Sequence, residues 1–146
     1  MLLWRISRHF DLRGLGGLKV PGRWHYAGQP VVYLAGNPAS ALLEVCVHTS
    51  ANDVPPEFQL LKIEAPDGAV SEIDPNDLPG NWRSDLESTR NVGTAWLQKS
   101  EAVLLRVPSA LVPETANFLF NPSHPDAAKF HVAGIYAYPF DRRLKH

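Results

Sequence analysis

The sequence predicts a single α+β domain, and three observations carry that reading. The chain has 146 residues, the size of one ordinary domain. About seven short β-prone runs and two longer segments with helical periodicity follow one another without a repeat or a linker. Ten glycines and thirteen prolines punctuate them, so residues 1–146 read as one unit. A chain this long buries roughly 68–70% of its unfolded surface and needs neither metal nor disulfide to fold.

Taken in order, residues 2–6 read as a short strand in which Arg5 stands alone among apolar neighbours. Arg13-Gly14-Leu15-Gly16-Gly17-Leu18 is a glycine-rich loop able to approach a ligand closely. It lacks the spacing of a dinucleotide fingerprint, and no Lys-Ser or Lys-Thr follows as in a P-loop. Turns at Pro21-Gly22 and Gly28-Gln29-Pro30 bracket Arg23-Trp24-His25-Tyr26, and residues 31–35 are strongly β-prone. Asn37-Pro38 supplies an N-cap and a first-turn proline, so a helix of about three turns runs on to His48. Leu42, Leu43, Cys46 and Val47 form its expected apolar face, with Ala41, Glu44, Val45 and His48 on another stripe.

Residues 58–63 and 69–73 read as a strand pair joined at Pro66-Asp67-Gly68, and residues 74–83 are rich in turns. Residues 89–99 carry a helical pattern through Val92, Trp96 and Leu97. Residues 102–107 form a buried-strand candidate that runs into Pro108-Ser109. Residues 117–120 are another apolar run, the turn at residues 121–126 follows, and residues 134–140 make the last strand. The basic end from Arg142 to His146 reads as solvated.

Composition narrows the function. Apolar residues make up 45% and charged residues 20%, which excludes a disordered chain. Fourteen Lys and Arg against fifteen Asp and Glu exclude a broadly basic nucleic-acid binder, though not a local anion pocket. The single cysteine, Cys46, excludes a disulfide framework, and the scattered histidines form no metal spacing, so no metal is expected. No apolar run approaches the ~20 residues of a membrane span, and the start is too short for a signal peptide. A reducing, cytoplasmic setting is expected.

Three polar residues stand in apolar surroundings, where an unpaired group costs free energy. Arg23, beside two aromatics, either stacks on Trp24 or binds an anion. Glu44, the one acid in an apolar helix, faces either solvent or a site. Ser109, directly after a buried strand, either caps a turn or does chemistry. Histidines are less telling: His48 suits a helix C-terminus, and His124 suits the backbone of its own turn. Cys46 reads as a small buried residue rather than a nucleophile, and Ser109 lacks the G-x-S-x-G elbow of a hydrolase. The four tryptophans read as core, with Trp24 also able to line a pocket.

The order and spacing of six segments resemble the RES-domain family, toxins of bacterial toxin–antitoxin modules named for an arginine, a glutamate and a serine. The segments are Trp4-Arg5, Gly22-Arg23-Trp24-His25, Val31-Val32-Tyr33, Ala41-Leu42-Leu43-Glu44-Val45, residues 107–113 and residues 121–126, with Pro139 to Leu144 closing the match. The resemblance implies a single-domain ADP-ribosyltransferase-like fold, a mixed sheet with flanking helices. It implies cleavage of the nicotinamide–ribose bond of NAD, which is the substrate, with no cofactor needed. Phosphate or water is the favoured acceptor. The alternatives are ADP-ribosyl transfer to a protein and a non-catalytic, antitoxin-binding regulator.

Carried over by position, the catalytic residues are Arg23, Glu44 and Ser109, and the NAD-binding residues are Arg5, Arg23, Tyr33 and Trp24. His25 departs from the family, many members of which have Asn there. The implied partner is an Xre-type antitoxin that blocks the site in a hetero-oligomer, with DNA reached only through it and no membrane contact.

Those residue types suit the chemistry. Cleavage of an N-glycosidic bond develops a ribosyl cation, which a carboxylate at Glu44 stabilises. Arg23 and Arg5 offer forked, charge-assisted hydrogen bonds to a diphosphate or to inorganic phosphate. Tyr33 offers a flat face or a hydroxyl. Ser109 either donates to the substrate or holds Glu44.

Overall fold

The computed structural model describes residues 1–68 and 70–145. Seven strands form one sheet: β1 (Leu2–Ile6), β2 (Val32–Ala35), β3 (Glu57–Glu64), β4 (Ser71–Glu72), β5 (Leu104–Pro108), β6 (Ala116–Phe120) and β7 (His131–Pro139). The helices are a single turn, α1 (Gly16–Lys19), and the longer α2 (Pro38–His48) and α3 (Leu86–Lys99). Strand order is β4-β5-β6-β2-β1-β3-β7, antiparallel throughout except for the parallel β4–β5 pair. The α+β class is as expected, with α2 and α3 on one face.

Side-chain alternation divides two cores between the faces of the sheet. Leu3, Val32, Leu34, Leu61, Ile63 and Phe120 share one face, closed by Leu12, Val70 and Phe130 from loops. Val31, Leu105, Val107 and Leu119 share the other, closed by Trp96 and Leu97 of α3 together with Trp24 and Trp82. The registers Arg5↔Leu61 and Trp4↔Ala35 put Arg5 with the first core and Trp4 on the helix-covered face. No helix among the described residues is long and apolar enough to cross a membrane.

Helix α2 begins as its sequence dictates: Asn37 Oδ1 accepts from Ser40 N–H at 2.9 Å, and Pro38 opens the first turn. Its buried arc differs from the expected one. Ala41 and Cys46 are buried and Val45 is half-buried, whereas Leu43 and Val47 are exposed. The helix carries more apolar positions than one face needs, and the arc that faces inward is the one that brings Glu44 to its partners. Helix α3 starts three residues earlier than predicted because Asp85 caps it, accepting from Ser88 N–H and Oγ–H.

Two further expectations are corrected. Residues 58–63 and 69–73 do not pair: β3 lies between β1 and β7, while β4 joins β5 at the opposite edge. Ala65 and Val70 pack in the first core, and Ala69 lies outside the described residues. The glycine-rich loop makes its close approach to the protein's own backbone. A Cβ at Gly14, where φ is +69°, would meet Val31 N at 2.6 Å, and one at Gly17 would meet Gln29 O at 2.8 Å. The basic end is exposed at Arg142, Arg143 and Leu144 as expected, while Lys145 Nζ donates to Cys46 O at 2.7 Å, a cation on the last turn of α2. His146 lies outside the described residues.

Gly93 lets α3 rest directly on Trp24, and a methyl group there would run into the Trp24 carbonyl. Gly93→Ala therefore sets a helix-propensity gain of about 1 kcal/mol against overpacking that costs about 1–3 kcal/mol and must displace backbone. The clash is expected to win, and a lower urea midpoint would record it.

Candidate functional site

The site is built where α2 meets the ends of β5 and β6. Glu44 is half-buried on α2. Its Oε1 accepts from Asn117 Nδ2 at 2.9 Å and from Ser109 Oγ–H at 3.2 Å. Ser109 is only 3% exposed, and its Oγ in turn accepts from Leu111 N–H and Val112 N–H at 3.1 and 3.3 Å. Among the described residues Oε2 of Glu44 takes no hydrogen bond. One carboxylate oxygen is thus fastened and the other is left for a ligand.

Ser109 follows β5 immediately, and its N–H donates to Thr115 O at 2.8 Å, closing the loop that leads into β6. Of the two tasks the sequence left open for Ser109, this geometry serves the second, holding Glu44. A hydroxyl so buried and so fully bonded acts through the carboxylate.

Tyr33 projects from β2 onto the same face as Asn117, since its register partner is Leu119. Its oxygen accepts from Trp24 N–H at 3.0 Å and its hydroxyl lies 2.7 Å from His25 Nδ1. His25 Nε2 lies 3.2 Å from Gly17 O, which can only accept, so the proton belongs on Nε2. Nδ1 is then the acceptor for Tyr33 O–H and for Gly22 N–H. Burial holds His25 below the usual histidine range and pushes the Tyr33 hydroxyl up, so both are neutral near pH 7.

Arg23 is anchored by several contacts. Its Nη1 donates to Arg83 O at 2.7 Å, and its own carbonyl accepts from Thr89 Oγ–H at 2.6 Å. Arg83 reaches the loop beside Ser109, donating through Nε to Ala110 O at 2.7 Å and through Nη2 to Leu111 O at 3.3 Å. Arg90, on α3, donates through Nε to Gly22 O at 2.7 Å. Arginine side chains bonded to backbone carbonyls therefore tie the Arg23 turn to the Ser109 loop.

The structure joins Glu44 to Ser109 directly and Arg23 to Tyr33 through the intervening turn. Arg5 is not brought to them. It leaves the opposite face of the sheet, where Nη1 donates to Asp11 O at 3.3 Å and burial lowers its pKa despite the nearby Asp11 charge. Trp24 is corrected from a ligand wall to a core residue: it is 2% exposed, with its ring centroid 6.0 Å from that of Trp82, and it serves Tyr33 through its backbone N–H. His124 Nδ1 accepts from Asp126 N–H at 3.0 Å, the turn-forming role.

Sequence reasoning missed Asn117, Arg83 and Arg90. Asn117 sits in phase with buried Leu119, a polar group at the head of an apolar strand, and that was the available signal. Its Oδ1 is buried without a partner. On the other flank of α2 an apolar groove of about 480 Å³, walled by Trp4, Leu42, Phe58, Leu60, Tyr136 and Tyr138, holds none of these polar residues.

The RES domain family model matches residues 2–141. A protein named Toxin Res from Pseudomonas putida is 50% identical over 136 residues, covering 90% of this chain and 93% of that protein. Another Toxin Res, from Yersinia enterocolitica, is 36% identical and covers 99% of this chain and 100% of its own. A Sphingobium protein named Prs ADP-ribosylating toxin is 34% identical over 97% of this chain and 94% of its own. Among solved structures, a chain of the M. tuberculosis MbcT–MbcA toxin–antitoxin complex superposes with a TM-score of 0.67. It covers 98% of this chain and 85% of that one at 18% identity, a likeness of fold.

The His25 geometry sets a pH dependence. Because burial lowers the folded-state pKa, the stability that neutral His25 confers is complete above its unfolded value near 6.5. It is lost as pH falls below that value and through the lowered folded one. The urea midpoint is expected to fall between pH 7.5 and pH 5, and to fall less in His25→Gln.

Proposed function

Because the chain belongs to the RES domain family, we propose that it is the toxin of a bacterial toxin–antitoxin pair, cleaving the nicotinamide–ribose bond of NAD with phosphate or water as acceptor. The observation that carries this reading is the Glu44 carboxylate, held at Oε1 by Ser109 and Asn117 and open at Oε2. A carboxylate fixed before the substrate arrives needs no reorganisation when positive charge develops on the ribose, which is how a preorganised group lowers a barrier. The same oxygen can accept a ribose hydroxyl or take a proton from an attacking water. Arg23 supplies a cation for the phosphates, and the Tyr33 ring and hydroxyl border the space between them.

A second reading has specific support: the Sphingobium relative is named an ADP-ribosylating toxin, and the same site would serve such a transfer to a protein if the acceptor were a side chain. The reading also includes a partner. A cytoplasmic antitoxin of the Xre type, made alongside the toxin, covers the site until the toxin is released. The likeness to a chain from a toxin–antitoxin complex favours such a partner.

The test is NMR of the antitoxin-free protein with NAD, with and without inorganic phosphate. Nicotinamide release that requires phosphate and yields ADP-ribose-1″-phosphate identifies a phosphorylase, and release without phosphate identifies a hydrolase. No release in either condition overturns cleavage with a small acceptor and leaves transfer to a protein. Glu44→Gln, which preserves the shape and the Oε1 acceptor, is expected to lose about 10²–10⁴-fold in rate. Full growth inhibition by that variant would overturn the mechanism.

Asn117→Leu tests the setting of the carboxylate. It removes a buried unpartnered oxygen but also one of the two donors to Glu44 Oε1, so its melting temperature is expected to fall. Loss of the amide bond to Glu44 is expected to lower the rate about tenfold or more.

A further inference from the structure

The site as described has one cation for a substrate that carries two phosphates, and Arg90 offers a second. This inference rests on the reading above and adds to it. Each guanidinium is fastened along one edge only. Arg23 spends Nη1 on Arg83 O, and Arg90 spends Nε on Gly22 O. Among the described residues the other N–H groups of both make no hydrogen bond, and neither guanidinium has a carboxylate within 4.0 Å. Gly22, whose carbonyl holds Arg90, lies against the Tyr33 hydroxyl, and Trp24, next to Arg23, donates its N–H to that hydroxyl, so both arginines are fastened at the turn over Tyr33, on the face of the sheet that meets α2.

A solvated surface arginine is mobile and free to swing to an acid. These two are half-buried and held by carbonyl bonds of 2.7 Å about the Gly22–Arg23 turn, in a chain whose net charge is −1. The exposed edges of two forks suit phosphoryl oxygens, which accept paired N–H bonds.

We propose that Arg90 and Arg23 together form a phosphoryl subsite beside Tyr33. The diphosphate of a dinucleotide occupies it while the adjoining ribose meets Glu44. Arg5, on the other face of the sheet, takes no part. The subsite accounts for substrate affinity and leaves bond cleavage to Glu44, so Arg90 is a binding residue. Free phosphate presents the same oxygens and is the second source of ligand for it.

Glu44→Gln protein provides the test, because it binds without consuming the ligand and its result does not depend on turnover. Titration calorimetry with ADP-ribose should show binding that weakens as salt rises. Adding Arg90→Gln is expected to weaken it at least tenfold, and Arg90→Lys, which keeps the charge but not the fork, by an intermediate factor. Inorganic phosphate that displaces ADP-ribose shows that the subsite takes a single phosphate as well. Phosphate that leaves ADP-ribose in place identifies the diphosphate as its ligand.

Unchanged affinity in Arg90→Gln overturns the proposal, as does failure of the Glu44→Gln protein to bind ADP-ribose. If Arg90→Lys is as weak as Arg90→Gln and both melt early, Arg90 only braces Gly22 and the subsite is refuted. Arginine-dependent ADP-ribose binding by a protein that does not cleave NAD would sustain the subsite and refute the activity.

Discussion

A carboxylate drawn half out of water on an apolar helix has to be met by donors, and the rest of this structure is arranged around that requirement. Glu44 finds Asn117 and Ser109, which lie on β6 and just beyond β5. Their bonds fix the rotation of α2 about its own axis and so decide that Ala41 and Cys46 turn inward while Leu43 and Val47 face water. The antiparallel β5–β6 pair, with Pro108 opposite Ala116, holds the two donors in register. Rearranging that pair would strand a charge, a larger loss than any single apolar contact of the helix could offset.

The second half of the site hangs on Trp24. Its indole fills the core against Trp82, while its backbone carries polar work on both sides. Its N–H binds Tyr33, and the carbonyl of the preceding Arg23 takes the Thr89 hydroxyl. Gly93 removes the one side chain that would keep α3 away. The aromatic ring thus positions the turn from which Arg23 and His25 extend. Core packing and site geometry are here the same contacts.

Much of the fold was legible because it is local. Asn37-Pro38 announces α2 by capping chemistry that needs no neighbour, and the β-prone runs announce all seven strands. What was not legible is non-local. Residues 71–72 pair with β5 at the far edge of the sheet, and no turn signal near Pro66 reveals that. Strand alternation separates Arg5 from Trp4, yet the sequence does not say which face receives α2, so Arg5 was grouped with residues it never meets. Arg23, Glu44 and Ser109 were visible as polar groups in apolar settings and through family resemblance. Asn117 gave the same signal more weakly, as an amide at the end of an apolar run. Arg90 gave none, since a lone arginine on a helix is ordinary until its partners are known.

The donors to Glu44 stand 65 and 73 residues further along the chain. A growing polypeptide therefore has α2 long before it has either hydroxyl or amide to hold the carboxylate. The constellation closes only when β6 has been made and inserted between β5 and β2. A nascent chain that stops short of β6 carries the glutamate without its setting, so translation itself delays assembly of the site until those later strands have been made.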